Sequence, residues 1–163
     1  MWLPKLKKIV SGGQSGVDRG SLDAAIALGI PHGGWCPYGR RAEDGPIADR
    51  YQLQCTRSAD YRVRTRRNVL QSDGTLIFAC GEPTGGTKLT RDWAICCGRP
   101  CQVVDFIACR QRPENASVAQ HAVRDWLYLH SIRVLNVGGP RGSRHAWLAE
   151  STRTFMCRML RAL

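Results

Sequence analysis

The amino-acid sequence has no apolar run of membrane-spanning length, and its charged first residues are followed by no apolar signal-peptide core. Its eight cysteines form no C-x-x-C pair and no zinc knuckle, which argues against a paired metal site or a disulfide framework. Free cysteines beside apolar runs pack as small hydrophobic residues in reducing compartments. We therefore expect a soluble cytoplasmic protein with reduced thiols, no membrane contact and no metal held by its side chains.

The motifs of several common enzyme and binding sites are missing as well. The chain contains neither G-x-G-x-x-G nor the Walker pattern, which counts against an ordinary dinucleotide or ATP site, and it has no G-x-S-x-G elbow. Its histidines are scattered, without the spacing of metal ligands. Aromatic residues make up only 7% of the chain and no nucleic-acid module is recognised, so nucleic-acid binding is a lesser alternative that charge alone supports.

What the chain does have is an excess of positive charge. It contains 24 lysines and arginines against 13 acidic residues, a formal charge of +11 at pH 7. Most of the basic residues are arginine, whose planar fork of donors suits phosphate and other oxyanions. This balance favours an anionic partner such as a nucleotide, a phosphorylated cofactor, a nucleic acid or an acidic surface, without choosing among them.

Short apolar runs alternate with helical patterns along the chain, which is typical of βαβ units and a parallel sheet. Strands are predicted at residues 8–11, 34–36, 75–80, 102–106 and 133–137. Helices are predicted at residues 18–28, 61–72, 88–97, 117–130 and 145–163, with a long loop at 37–55. Because no linker divides the sequence, we predict one α/β domain over residues 1–163, a doubly wound, mostly parallel sheet of about five strands with helices on both faces.

Glycine, small hydroxyl residues and arginine follow several of the predicted strands, at residues 12–16, 36–41, 80–87 and 138–143. Parallel strands place the loops that follow them at one edge of the sheet. Glycine lets backbone N–H groups turn toward an anion, and a helix that starts there adds the field of its dipole. We therefore predict one pocket of positive potential that binds an anionic, phosphate-bearing ligand.

Charged residues near these loops each allow two interpretations. Asp18 either orients a ligand hydroxyl or caps a helix, and Arg19 reaches either ligand or solvent. Arg40 and Arg41 either clamp a phosphate or pair with neighbouring carboxylates of a surface loop. The arginine run at residues 62–67 is predicted to form a solvated helix surface or a rim of positive field.

Five stretches carry the most distinctive composition. They are G-G-Q-S-G-V-D-R at residues 12–19, G-G-W-C-P-Y-G-R-R-A-E-D-G-P-I at 33–47, R-T-x-x-N-V-x-x-S-D-G-T-L-I at 64–77, G-G-T-x-x-T at 85–90 and L-N-V-x-G-P-R-x-S at 135–143. Together they resemble the molybdenum carrier (molybdenum cofactor carrier) family, in register from about residue 8 to residue 143. Two positions depart from that pattern: Ser15 stands for a commoner threonine, and Tyr38 for a commoner lysine.

The resemblance implies a Rossmann-like fold of the group that includes lysine-decarboxylase-like and cytokinin-activating proteins. It also implies a homo-oligomeric carrier of the molybdenum cofactor (molybdopterin), for storage, protection or transfer, with molybdoenzymes or cofactor-synthesis proteins as partners. That ligand is a pterin with a terminal phosphate and a metal-oxo dithiolene end, negative at both extremes. The residues expected to bind it are Gly12, Gly13, Gln14, Ser15, Gly16, Asp18, Arg19, Arg40, Arg41, Gly85, Gly86, Thr87, Thr90, Gly139, Pro140, Arg141 and Ser143.

An enzyme alternative comes from the cytokinin-activating relatives, which cleave the N-glycosidic bond of nucleotides. Their loop P-G-G-x-G-T-x-x-E carries a catalytic glutamate, and alignment from Gly85 places Asp92 at that position. A carboxylate there could stabilise an oxocarbenium-like centre, so the alternative is a nucleotide or nucleoside-monophosphate hydrolase with Asp92 as its catalytic residue. Lys88 and Leu89 replace the loop's third glycine and its threonine, which favours a carrier without catalytic residues.

Overall fold

The computed structural model describes residues 6–161. The strands are β1 (Lys8–Val10), β2 (His32–Gly33), β3 (Trp35–Cys36), β4 (Arg41–Ala42), β5 (Gly45–Pro46), β6 (Gln54–Cys55), β7 (Gly74–Ala79), β8 (Cys101–Asp105) and β9 (Val134–Gly138). The helices are α1 (Val17–Ala27), α2 (Tyr61–Leu70), α3 (Gly85–Cys96), α4 (Phe106–Gln111), α5 (Pro113–Leu129) and α6 (Leu148–Arg161). Within residues 6–161, no helix combines the length and apolar character needed to cross a membrane.

Five strands form one parallel sheet in the order β2-β1-β9-β7-β8. When β9 is counted as the first strand, this order becomes 3-2-1-4-5, the arrangement of a doubly wound sheet. The chain therefore has Rossmann-like topology with its starting point moved along the sequence. The predicted α/β fold with a parallel sheet of about five strands is confirmed.

Helices cover both faces of this sheet. Helices α1, α4, α5 and α6 share a core with Leu76 and Phe78 of β7, while the alternate side chains of that strand point to the opposite face. On the opposite face, α3 packs on β7 and β8, and α2 packs on α3. Gly20 permits the close contact between α1 and α6, because a Cβ atom there would lie 2.2 Å from the carbonyl oxygen of Ala149.

The region after α1 differs from its prediction. The second strand of the main sheet is β2, whereas the predicted strand at residues 34–36 overlaps β3, which pairs with β6 in a separate two-stranded sheet. Gly34, with a φ angle of +127°, turns the chain between β2 and β3. The predicted loop at 37–55 contains the antiparallel pair β4–β5 and ends in β6.

Two helices also differ from their predictions. Helix α3 begins at Gly85 instead of near Lys88, so the glycines of the predicted loop form its first turn. The sequence prediction missed α4, which the Asp105 carboxylate caps by accepting a hydrogen bond from the N–H of Ile107 at 2.9 Å. The predicted end of the last helix, at residues 162–163, lies outside the described residues.

Candidate anion-binding cavity

A cavity of about 640 Å³ opens at the carboxyl ends of the neighbouring strands β7 and β9. The helices that follow these strands lie on opposite faces of the sheet, α3 on one and α6 on the other. The cavity therefore lies at the switch point of the sheet, where ligands of this fold class bind. Its volume is within the range of small-molecule sites.

The cavity gathers most of the predicted binding residues. Those that line it are Gly12, Gln14, Asp18, Gly85, Gly86, Thr87, Thr90, Gly139, Pro140, Arg141 and Ser143. The predicted residues that lie outside its lining are Gly13, Ser15, Gly16, Arg19, Arg40 and Arg41. The loops after β1, β7 and β9 thus meet at one rim, and the binding of a ligand by each residue stays a prediction.

The loop after β1 is held by contacts within the protein. The Asp18 carboxylate accepts a hydrogen bond from the N–H of Gln14 at 3.2 Å, and Gln14 Oε1 accepts one from the N–H of Ser15 at 3.0 Å. Gly16 lies so close to the loop after β9 that a Cβ atom would be 2.6 Å from the carbonyl oxygen of Pro140. Gly16 therefore lets the loops after β1 and β9 pack together. The N–H groups of Gln14 and Ser15 are engaged within the protein and do not face an open anion site.

Glu43 ties the same two loops together at the rim. Its carboxylate accepts hydrogen bonds from Ser15 Oγ and from the N–H and Oγ of Ser143, the latter two at 3.0 Å and 2.6 Å. Burial acts to raise the pKa of Glu43, but these hydrogen bonds and the charge of Arg141 lower it overall. The Glu43 carboxylate therefore accepts hydrogen bonds from donors in two of the predicted binding loops, where an anionic ligand was expected.

The N-terminus of α3 faces open space, whereas the loop that leads into α1 is filled by contacts within the protein. The Thr84 side chain makes no capping hydrogen bond, and no partner is found within residues 6–161 for the N–H groups of Gly85 and Gly86. A Cβ atom added at either glycine would meet nothing within 4 Å. Because a helix start presents unpaired N–H groups and the positive end of its dipole, this turn is suited to hold an anion.

Two arginines from the loop after β9 also line the cavity. Arg144 Nη2 donates a hydrogen bond to Thr84 Oγ1 at 3.3 Å, which brings its guanidinium beside the first turn of α3. The Arg141 guanidinium lies 5.3 Å from the ring centroid of Tyr61 across the cavity. Neither arginine makes an ion pair with another described residue. The charge of Arg141 acts on Glu43, so Arg144 is the cation available to a ligand at the start of α3.

A buried ion pair forms the opposite wall. Arg64 Nη1 lies 3.0 Å from Asp18 Oδ2, and the side chains are only 15% and 6% exposed. Burial raises the pKa of Asp18, and the charge and hydrogen bond of Arg64 oppose that rise. Of the two roles predicted for the run at residues 62–67, a solvated helix surface does not hold for Arg64, because its charge compensates a buried carboxylate.

Two donors in this wall have no hydrogen-bond partner within the described part of the chain. They are Nε2 of Gln14 and Nε of Arg64, both buried. Buried polar groups in native proteins are nearly always paired with protein, water or ligand atoms. Both side chains line the cavity, so the unpaired donors are consistent with a polar ligand or ordered water there.

The other predicted arginines have partners outside the cavity. Arg40 donates to the carbonyl oxygens of residues 47, 48, 51 and 53 at 2.9–3.2 Å, so it fastens the loop before β6 and does not act as a clamp at the cavity. Arg19 pairs with Asp44 through two hydrogen bonds of 3.0 Å and also donates to the Gly13 carbonyl. Arg41 is exposed on β4.

The carboxylate of the hydrolase alternative also lies outside the cavity lining. Asp92 pairs with Lys88 one helical turn earlier, at 2.5 Å, and with Arg91 at 3.7 Å. Its side chain is 41% exposed, and these cations lower its pKa. Asp92 is therefore held on the helix surface as an ordinary ionised residue, which removes the geometric basis for its predicted catalytic role.

One face of α2 was missed by the sequence prediction. Tyr61, Arg64, Thr65 and Asn68 all line the cavity, at the spacing of one helical face. The signal was present, since a polar stripe at positions i, i+3, i+4 and i+7 is unusual on a buried face. It was hidden by the three neighbouring arginines, Arg62, Arg66 and Arg67, which made the whole helix look exposed.

Comparison with known proteins agrees with this topology. Residues 9–160 match the model of the circularly permutated YpsA SLOG family. The chain is also similar to a crystal structure from Syntrophus aciditrophicus SB, named a putative molybdenum carrier protein, with 39% identity and a TM-score of 0.89. That similarity covers 96% of each chain. No protein with a curated description matches.

Proposed function

Since the chain belongs to the circularly permutated YpsA SLOG family, we propose that its switch-point cavity carries an anionic, phosphate-bearing small molecule, namely the molybdenum cofactor. The observation that carries the proposal is the open first turn of α3, at which Gly85 and Gly86 leave room for an anion beside Arg144, with Arg141 in the lining of the same cavity. The name of the protein from Syntrophus aciditrophicus supports the choice of ligand.

The chemistry of the cavity fits two parts of such a ligand, its phosphate and its pterin ring. A terminal phosphate matches the N–H groups of Gly85 and Gly86, because a helix start stabilises negative charge. The Arg141 guanidinium lies over the Tyr61 ring, and a planar guanidinium of this kind suits stacking with a flat ring such as a pterin. The remaining volume of the cavity, about 640 Å³ in all, accommodates a molecule of drug size.

Among the described residues that line the cavity, the carboxylates of Asp18 and Glu43 are engaged in structural contacts, and this suits carriage better than turnover. Asp18 is paired with Arg64, and Glu43 is hydrogen-bonded to Ser143. The proposed role ends in transfer of the ligand to a molybdoenzyme or to a protein of cofactor synthesis. Assembly into a homo-oligomer and cytoplasmic location stay predictions.

A pair of substitutions at Gly86 tests the proposal. Gly86→Asp places a carboxylate where the phosphate is expected, whereas Gly86→Asn adds nearly the same volume without charge. A Cβ atom fits at this position, so both variants should fold like the native protein. We expect Gly86→Asp to weaken binding of the molybdenum cofactor by at least about tenfold relative to Gly86→Asn, since a repulsion of about 1.4 kcal/mol has that effect.

Binding is measured by fluorescence titration of the purified protein with released cofactor, and circular dichroism checks the fold. Arg144→Ala should also weaken binding, because it removes a cation beside the same turn. Equal affinities of Gly86→Asp and Gly86→Asn would show that no anion binds at α3. Binding of inorganic phosphate but not of cofactor would keep the anion site and reject the proposed ligand.

A further inference from the structure

Two cysteines that were expected to be unrelated structural thiols lie against each other. Cys36 of β3 and Cys55 of β6 occupy directly opposite positions of a parallel strand pair, and their sulfur atoms are 3.6 Å apart. Strands in one sheet are about 4.8 Å apart, which is within the Cα–Cα range of disulfides, about 4.4–6.8 Å. A small rotation of the side chains would bring the sulfurs to bonding distance without moving the backbone.

The two thiols differ in their surroundings. Cys36 is fully buried in a small core with Leu22, Ile47 and Leu53, whereas Cys55 is exposed to solvent. Burial and the neighbouring thiol raise the pKa of Cys36 to about 11, so its reactive thiolate form is scarce at neutral pH. An oxidant from solvent therefore meets Cys55 first.

We propose that Cys36 and Cys55 form a modification site at which a hydroperoxide converts the thiol pair to a disulfide. The thiolate of Cys55 attacks the peroxide, so that an S–O bond forms, the O–O bond breaks and one water (for hydrogen peroxide) leaves. The sulfur of Cys36 then attacks Cys55, an S–S bond forms, the S–O bond breaks and a second water carries away the proton of Cys36. Two thiols are oxidised and one peroxide is reduced.

The position of this pair gives the disulfide a structural consequence. Cys36 and Cys55 bracket the segment that contains Arg40 and Glu43, and Glu43 reaches the cavity rim. A disulfide at the base of this segment would close it covalently into a loop. The proposal depends on the contact between the two sulfurs and is independent of the ligand that the cavity binds.

Peptide mapping tests the proposal directly. The reduced full-length protein is treated with hydrogen peroxide, blocked with iodoacetamide and digested without reductant. We expect one linked pair of peptides containing Cys36 and Cys55, with a mass lower by two hydrogens than the separate peptides. Cys96 and Cys97, adjacent in the chain at the end of α3, report the oxidation of other thiols in the same sample.

Two single variants complete the test. Cys55→Ser should leave Cys36 alkylatable after unfolding, since its buried sulfur is not attacked directly. Cys36→Ser should leave Cys55 as a sulfenic acid that dimedone labels. The proposal is overturned if Cys55 is labelled by dimedone in the native protein with no link to Cys36, or if Cys36 is found linked elsewhere.

Discussion

Replacing Arg64 by methionine would leave the buried carboxylate of Asp18 without its cation. In the native protein the two side chains are 15% and 6% exposed and lie 3.0 Å apart. Removal of one partner of a buried pair typically costs about 3–5 kcal/mol. Arg64→Met keeps a long apolar stem, so most of this loss should come from the unpaired charge.

The loss of stability should depend on pH, because Asp18 can neutralise its unpaired charge by taking up a proton. In an unfolded chain this carboxyl titrates near 3.8, and each pH unit above that value makes protonation about 1.4 kcal/mol more costly. Protonation therefore limits the loss to about 4 kcal/mol at pH 7 and about 2 kcal/mol at pH 5. The sign follows from the raised pKa of the folded state: stability is present at low pH and is lost as the pH rises.

Urea unfolding of native protein and Arg64→Met at both pH values measures this difference. The double variant Asp18→Asn/Arg64→Met serves as the control, because it has no carboxylate to leave unpaired, and its stability should vary less with pH than that of Arg64→Met. An equal loss at pH 5 and pH 7, or a double variant no more stable than Arg64→Met at pH 7, would refute the argument.

Two further changes test the packing of the site. Glu43→Gln should lower the melting temperature at pH 7, and the effect should shrink as the pH falls below 4.5, the ordinary pKa of this carboxyl, because the lowered pKa of Glu43 in the folded protein gives stability that is lost on protonation. An effect as large at pH 3 as at pH 7 would contradict this. Gly20→Ala should cost about 1–3 kcal/mol, because its Cβ atom would clash with Ala149. Gly86→Ala, with open space, should be neutral or stabilise α3 by up to about 1 kcal/mol, since alanine is the better helix former. Calorimetry compares the two variants, and equal stabilities would disprove the close helix contact.

The order of the strands in the sheet is the part of the fold that could not be predicted from the sequence. The alternation of apolar runs with amphipathic segments predicted the parallel sheet, because each apolar run forms one buried strand and each amphipathic segment forms a helix beside it. It carried no information on the neighbours of β9, which is last in the chain and central in the sheet. Pairing depends on contacts between distant segments, so the permuted topology became visible only in three dimensions.

The partners of the arginines are the part of the candidate site that could not be predicted from the sequence. Arg40 stands in a motif that suggested a phosphate clamp, yet its donors are taken by carbonyl oxygens of its own loop. Arg64 stands in a run that suggested solvent exposure, yet it compensates Asp18 in the cavity wall. A guanidinium donates to whichever acceptors the fold brings near it. The sequence alone does not give the distances between the guanidinium and those acceptors.

The sequence alone determined the class of fold, the edge at which glycine-rich loops meet and the family, because periodicity, turn residues and motifs are local. Only the tertiary structure decided which of those loops is open. The loop after β1 is filled by Asp18 and Glu43, whereas the first turn of α3 keeps N–H groups beside Arg144 that no described residue engages. Whether a donor is free depends on every acceptor around it, and these acceptors come from segments far apart in the chain.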